Sequence, residues 1–237
     1  MDEKKSHAYV WAMRYHTREC VEGIRKVLTM DETKTGRIVK VAGPVVVAEG
    51  MTGARMYDVV RVGKLNIIGE IVELHGDLAS IQVYEETTGL GPGEPVVDTE
   101  APLSVELGPG LIESIYDGIQ RPLPLLAEAE GEFMSRGSAM PGLNREKKWH
   151  FKSTVESGAE VGQGDIIGEV RESSLVNHRI MVPADVKGKI EKIREGDYTV
   201  DETVAIVAAE DGRKSEIKLM QKWPVRSARQ VKGRLVP

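Results

Sequence analysis

Short runs of β-branched residues, each followed by a glycine, constrain this chain more than any other feature of its sequence. Four such runs occupy residues 36–48, 56–62, 67–74 and 78–84, and a Gly-Pro pair interrupts the first at Gly43 and Pro44. Runs of this length between turn residues are typical of strands in a small antiparallel sheet. Because a closed sheet has no exposed edge, we predict a mainly β fold that begins with a six-stranded β-barrel over residues 36–100.

A second β unit is predicted in the later half of the chain. Between residues 149 and 209, short apolar runs alternate with glycine-rich turns such as 162–165, and the part from 182 to 207 nearly repeats the part before it. This pattern is typical of a flattened two-layer barrel, a barrel-sandwich. We assign residues 126–210 to this domain.

Three segments lie outside these β units. Residues 101–125 form a junction rich in proline and glycine, with a short helix predicted at 111–119, and residues 126–147 look like a solvated, charged linker that includes Arg145. Residues 211–237 follow the second unit. Residues 1–35 form an N-terminal extension, with helical spacing of apolar residues within 6–29. We interpret residues 1–29 as an upstream extension with Met30 as the true start, a docking helix being the alternative.

Composition excludes several classes of function. The 32 basic and 37 acidic residues are interspersed, which gives no extended basic face for nucleic acid. The single cysteine, Cys20, cannot form an internal disulfide, and this favours a reducing cytoplasm. No apolar run approaches the ~20 residues that cross a bilayer, and no secretory signal is present. Any role at a membrane must therefore go through partner subunits.

The sequence offers no phosphate-binding motif. The pairs Gly63-Lys64 and Gly188-Lys189 lack a following Ser or Thr and an earlier glycine at P-loop spacing. Gly162-Gln163-Gly164 is interpreted as turn chemistry, since it does not open a helix. Phosphoryl transfer needs a phosphate cradle, so we predict no ATP turnover by this chain alone.

Other reactive side chains are scattered. The five histidines have no metal-ligand spacing and are interpreted as surface or packing residues: His7, His16, His75, His150 and His178. The run Glu85-Glu86-Thr87-Thr88 ends a predicted strand and is interpreted as a solvated barrel rim. We therefore predict no catalytic, cofactor-binding or metal-binding residues in this chain.

Several long segments resemble one known family. Residues 36–51, 82–96, 107–123 and 222–226 are similar, in order and spacing, to the catalytic A (alpha) subunit of archaeal A-type and related V-type ATP synthases. The similarity covers nearly everything from Gly36 to Pro237, whereas residues 1–29 have no counterpart in it. Extended matches in order are far more specific than one short motif.

The resemblance implies a role in a rotary enzyme that couples ATP synthesis or hydrolysis to ion transport. This chain would be the N-terminal portion of the catalytic subunit. Residues 126–210 would be the insertion that distinguishes A from B subunits. Residues 101–125 and 211–237 would pack against the α/β P-loop domain, which is absent from these 237 residues. ATP, ADP and Mg²⁺ would belong to the full-length parent, with no cofactor in this chain.

The resemblance also implies partners and a location. B subunits would alternate with A subunits in an A3B3 ring held together by the N-terminal barrels, and the insertion would reach towards peripheral stalk subunits. The chain would be cytoplasmic, at the inner face of the cell membrane, and would meet the membrane only through the complex. No nucleic acid is expected.

Two other functions are open at this point. The second β unit resembles a biotinyl or lipoyl carrier, although the hairpin stretch 173–179 has no lysine and Lys187 and Lys189 lie in an unusual setting. The chain could also act as a stand-alone, non-catalytic crown protein.

Overall fold

The computed structural model describes residues 35–112, 114–131 and 135–229. The helix predicted within residues 6–29, and Met30 with it, lies outside these ranges. The described residues fall into two units, one of residues 35–56 and 60–100 and one of residues 57–59 and 101–229. No helix in the described ranges is long and apolar enough to cross a membrane.

Six strands close into an antiparallel barrel, in the order β1-β2-β5-β4-β3-β6. They are β1 (Thr35–Ala42), β2 (Val45–Glu49), β3 (Asp58–Val62), β4 (Ile67–His75), β5 (Leu78–Val83) and β6 (Pro95–Pro102). The predicted six-stranded barrel is confirmed. Closure gives every strand two hydrogen-bonded neighbours, so this sheet leaves no edge free to pair with another chain.

Alternating burial explains why these strands form a barrel. In β2, Val46 and Ala48 point inward, and in β5 Ala79, Ile81 and Val83 do so. Ile81 is paired with Val46 on one side and with Ile71 on the other, and all three are fully buried. The two-residue period of the sequence therefore becomes the inner layer of the barrel.

Prolines mark one expected and one unexpected feature of the barrel. Gly43, at φ 59°, and Pro44 form the turn between β1 and β2, as predicted. Pro95 begins β6, a strand that the sequence does not mark with a β-branched run of its own. A proline is tolerated as the first residue of a strand, where no ladder bond from its nitrogen is needed.

The second unit contains two four-stranded sheets with the orders β11-β10-β8-β13 and β15-β14-β12-β9. The strands are β8 (Trp149–Ser153), β9 (Glu160–Val161), β10 (Ile166–Arg171), β11 (Asn177–Met181), β12 (Gly188–Ile193), β13 (Gly196–Tyr198), β14 (Thr203–Ala208) and β15 (Lys214–Lys218). The predicted two-layer β unit is confirmed.

The near-repeat in the sequence corresponds to a repeat in the fold. Strands β8 to β11 and β12 to β15 occupy equivalent places, and the short second strand of each set, β9 or β13, pairs within the sheet of the other set. Both third strands carry a register shift near their start, β10 before Gly168 and β14 before Ala205. The repeat is completed by β15, which lies beyond residue 210.

Phe151 is the largest fully buried side chain of the second unit, and it requires a glycine opposite. A Cβ on Gly168 would lie 2.2 Å from Phe151 Cε2 and 2.7 Å from the carbonyl oxygen of Lys152. Only glycine leaves room for the ring at this point, which explains the glycine in the middle of β10.

The helix predicted at 111–119 is wrong. The described residues there form turns and one isolated bridge, Tyr116 to Pro122, while the helix α1 spans Leu123–Glu130. Asp117 Oδ1 accepts the backbone N–H groups of Ile119 and Arg121, which offers the backbone an alternative to helix. Pro124 is tolerated because it lies in the first turn of α1.

Two further strands pair outside the sheets. In β7 (Ser104–Leu107) and β16 (Gln221–Pro224), Leu107 is opposite Gln221 and Val105 is opposite Trp223. These strands lie in the two segments assigned at the sequence level to the junction and to the return segment. The antiparallel ladder joins both segments within the second unit.

Candidate interaction site

Polar contacts connect the junction to the second β unit, and Glu106 on β7 lies at their centre. One of its carboxylate oxygens forms an ion pair with Arg145 Nη2, and the other accepts the N–H of Leu143 at 3.2 Å. Arg145 Nε also lies 3.4 Å from Asp201 Oδ2. Arg145 is therefore not the solvated linker residue that its sequence context predicts.

Gln120 and Glu106 form a reciprocal pair through their side chain and backbone. The N–H of Glu106 donates to Gln120 Oε1 at 2.6 Å, and Gln120 Nε2 donates to the carbonyl oxygen of Glu106 at 2.7 Å. Side-chain amides that mimic a strand in this way satisfy both backbone groups of an edge residue. The chain after β7 is thereby held against β7.

Asp117 and Arg121 form a second fixed pair in the junction. The guanidinium Nε lies 2.6 Å from Asp117 Oδ2, and Arg121 Nη1 donates to the carbonyl oxygen of Ser138 at 3.2 Å. Partial burial raises the pKa of Asp117, but hydrogen bonds from the backbone and side chain of Arg121 and from Ile119 outweigh it and leave that pKa below its usual value.

Glu172, directly after β10, holds the loop at residues 110–112. Its Oε1 accepts the N–H of Gly110 at 2.7 Å and the N–H of Ile112 at 2.9 Å. The side chain is 3% exposed, and His178 Nδ1 lies 3.5 Å from its Oε2. Burial, the first cause, and Arg229 lower the pKa of His178, while Glu172 acts in the opposite direction.

Large apolar side chains are exposed at two places in the second unit. Ile112, Ile115 and Leu125 are 48, 64 and 46% exposed and lie within one short stretch of the junction and α1. Leu175 is 94% exposed at the tip of the hairpin between β10 and β11. Apolar groups that lie close together on a surface are typical of contact sites for another protein or domain.

The histidines do not form a catalytic group in the described part of the chain. His75 and His150 are mostly exposed and lie 2.9 and 2.8 Å from Glu73 and Asp197, so these two are surface residues as predicted. His178 is packed beside Glu172. His7 and His16 lie outside the described residues.

The other singled-out residues lie in turns and strands. Thr87 donates to the carbonyl oxygen of Gly43 at 2.7 Å, and Thr88 donates to Glu86 Oε1 at 2.7 Å, both in a bend after β5. This is the rim position that the sequence predicts. Gly63-Lys64 forms the turn after β3, Gly188-Lys189 begins β12, and 162–164 lies in the turn before β10.

Within the described ranges, no group of three or more His, Cys, Asp or Glu residues could hold a metal ion. The absence of catalytic, cofactor and metal sites stays a prediction. Lys187 precedes β12 and Lys189 lies in it, while the exposed hairpin tip carries Leu175. Nothing in the fold favours a carrier role.

Sequence patterns could not reveal the polar contacts of the junction. Glu106 and Arg145 are 39 residues apart, and Glu172 and Gly110 are 62 residues apart. Neither pair has a characteristic spacing, because such contacts depend on how the strands pack. The only available signal is an acidic residue at each strand end, which is also common on solvated surfaces.

Two family models match the two β units. Residues 38–100 match the β-barrel domain of the ATP synthase alpha/beta family, and residues 140–226 match the barrel-sandwich domain of the ATP synthase alpha/beta subunits. The order of the domains is the order observed in the fold, and the second match extends past residue 210.

Curated relatives carry the same pair of domains at high identity. The V-type ATP synthase alpha chain of Clostridium botulinum (strain Alaska E43 / Type E3) is 58% identical over 205 residues, which is 86% of this chain and 34% of the relative. That of Acetivibrio thermocellus is 59% identical over 202 residues, 85% of this chain and 34% of the relative.

An archaeal relative matches at a similar level. The catalytic-type A polypeptide of the A-type ATP synthase of Pyrococcus horikoshii is 57% identical over 203 residues, which is 85% of this chain and 21% of the relative. The chain thus spans about a third of the length of the Clostridium and Acetivibrio relatives.

Proposed function

This chain belongs to the ATP synthase alpha/beta family and matches the N-terminal portion of V-type and A-type alpha (A) chains, and we propose that it acts as that portion of a rotary ATP synthase. The carrying observation is the closed six-stranded barrel followed by the two-sheet unit, in the family's order and at 57–59% identity. The proposed activity of the whole enzyme is coupling of ATP synthesis or hydrolysis to ion transport, with ATP, ADP and Mg²⁺ bound outside these 237 residues.

The barrel is proposed to hold A and B subunits together in an alternating A3B3 ring. A role of this kind requires a part that resists torque, and a closed sheet transmits load through hydrogen bonds on both sides of every strand. The complete inner layer around Val46, Ile71 and Ile81 supports this role, because a packed core deforms little. The complex is proposed to lie at the cytoplasmic face of the membrane.

The second unit is proposed to contact peripheral stalk subunits through the β10–β11 hairpin. Leu175 at its tip is 94% exposed, and an apolar side chain in that position contributes most when a partner covers it. Replacing Leu175 with aspartate in the assembled enzyme is expected to leave the ring intact and to weaken stalk binding. Unchanged stalk binding would exclude the tip as the contact.

The junction is proposed to pack against a nucleotide-binding domain of the kind that the longer relatives leave room for. Ile112, Ile115 and Leu125 supply the exposed apolar surface for this contact. The ladder between β7 and β16 brings the two connecting segments side by side, so that both can lead to one further domain.

A chimera tests the proposal. Residues 36–226 of this chain replace the aligned segment of the Clostridium botulinum alpha chain, and native mass spectrometry measures its assembly with the cognate B subunit. We expect a ring of three copies of each. The parent alpha chain serves as the positive control, and the same chain without the segment as the negative control. A folded chimera that stays monomeric with B present would contradict the proposal.

A further inference from the structure

Glu172 has two oxygens in different situations. Oε1 accepts two backbone N–H groups, from Gly110 at 2.7 Å and from Ile112 at 2.9 Å. Oε2 is buried and has no hydrogen-bond partner among the described residues. A buried acceptor without a donor is rare in folded proteins, and it indicates a group that another arrangement of the site would satisfy.

His178 is the group that faces this oxygen. Its side chain on β11 is 25% exposed, and Nδ1 lies 3.5 Å from Oε2, beyond the usual range of an N–H···O hydrogen bond. Val170 is its cross-strand neighbour on β10, and it carries no charge. The charged groups that act on the imidazole are Glu172 and Arg229, from the end of β10 and from the segment after β16.

We propose that Glu172 and His178 form a pH-responsive latch, which holds residues 110–112 on the second β unit while His178 is neutral and releases them when His178 is protonated. The latch is independent of the proposed role in a rotary enzyme, because every group in it belongs to one unit of this chain.

Geometry explains the release. An imidazolium in a mostly buried position needs an acceptor, and charge-assisted N–H···O bonds are about 2.7–2.9 Å long. Closing the gap of 3.5 Å to Oε2 moves the carboxylate towards His178. Because Oε1 is fixed to the same carboxylate, this movement takes it away from the N–H groups of Gly110 and Ile112.

Electrostatics supports the same direction. Burial and Arg229 lower the pKa of His178 in the closed arrangement, although Glu172 partly offsets them. The closed arrangement therefore binds the proton more weakly than a released one, in which the imidazole is solvated. By linkage, a fall in pH through this range favours the released arrangement.

Nuclear magnetic resonance of the ¹⁵N-labelled 237-residue chain tests the latch between pH 5 and pH 8. The amide proton signals of Gly110 and Ile112 should move upfield on acidification, with one shared midpoint below the ordinary histidine value of about 6.5. The ring carbon signals of His178 should titrate with the same midpoint. Amide and ring midpoints that differ would overturn the proposal.

Three variants separate His178 from other groups. His178→Gln should abolish the titration of both amides, and Glu172→Gln should leave them upfield at every pH. His150→Gln, a matched change at an exposed histidine on β8, should leave the titration as in the wild type. Persistence of the titration in His178→Gln would overturn the latch. If that variant does not fold, the comparison of midpoints in the wild type decides.

Discussion

Glu106 and Arg145 form an ion pair across 39 residues of sequence, with their side chains only 14 and 28% exposed. The pair joins β7 to the segment that leads into β8, and Glu106 also accepts the N–H of Leu143. The junction is thus attached to the second β unit by specific contacts of partly buried groups.

Replacing Glu106 with glutamine tests this attachment. The variant keeps the size of the side chain but leaves Arg145 without its main counter-charge, and hydrogen bonds to charged groups contribute about 1.5–3 kcal/mol. Discounted for partial exposure, the free energy of unfolding should fall by roughly 1–2 kcal/mol in urea titrations. Glu191→Gln, which removes an exposed pair with Lys214, should change it by less than about 0.5 kcal/mol. Equal effects of the two variants would show that the pair contributes nothing special.

Gly168→Ala tests the packing of Phe151. The added Cβ would lie 2.2 Å from the ring and 2.7 Å from a backbone oxygen, so the ring or the strand must move. We expect a loss of about 1–3 kcal/mol in the free energy of unfolding, typical of overpacking. Gly118→Ala is the control, since a Cβ there meets no atom within 4 Å. A neutral Gly168→Ala would mean that β10 is not constrained by the ring.

Ile81→Ala tests the barrel core. Ile81 is fully buried between Val46 and Ile71, and truncation of such a residue typically costs about 2–5 kcal/mol. Hydrogen exchange followed by mass spectrometry should show faster exchange in peptides from β2, β4 and β5. Leu78→Ala, at an exposed position of the same strand, should leave exchange near the wild-type rate. Protection unaltered by Ile81→Ala would contradict a single barrel core.

Asp117→Asn tests the acid dependence of the junction. The folded-state pKa of Asp117 is lowered from 3.8, so its stabilisation is fully present above the unfolded-state value and is lost as pH falls through the folded-state pKa. The wild type should therefore be more stable than the variant in urea at pH 7, and the difference should shrink below about pH 4. A difference that stays constant down to about pH 2 would show that the charge of Asp117 is not its cause.

Local patterns were enough to predict the two β units. The β-branched runs ending near Val62 and His75 form strands of the barrel, and the glycine turns fall between them. These features follow from backbone sterics and side-chain alternation within a few residues. Pro95 shows the limit, since β6 is fixed by pairing with β1 across the barrel and has little strand character of its own.

Long-range contacts were not predictable from the sequence. The helix expected at 111–119 fails because Asp117 bonds to the backbone N–H groups of Ile119 and Arg121, and α1 forms instead at Leu123–Glu130. The contacts of Glu172 depend on a loop 60 residues away and on no local signal. The candidate interaction site is built from pairs of this kind, so the structure was needed to find it.

The hydrolysis rate of the chimeric complex tests the central claim most directly. In this complex residues 36–226 of the chain stand in the Clostridium botulinum alpha chain together with its B subunit. The account predicts steady ATP hydrolysis by the assembled ring, close to that of the parent complex, and no turnover by the 237-residue chain alone. A folded chimera that forms no active ring, or ATP turnover by the chain alone, would contradict it.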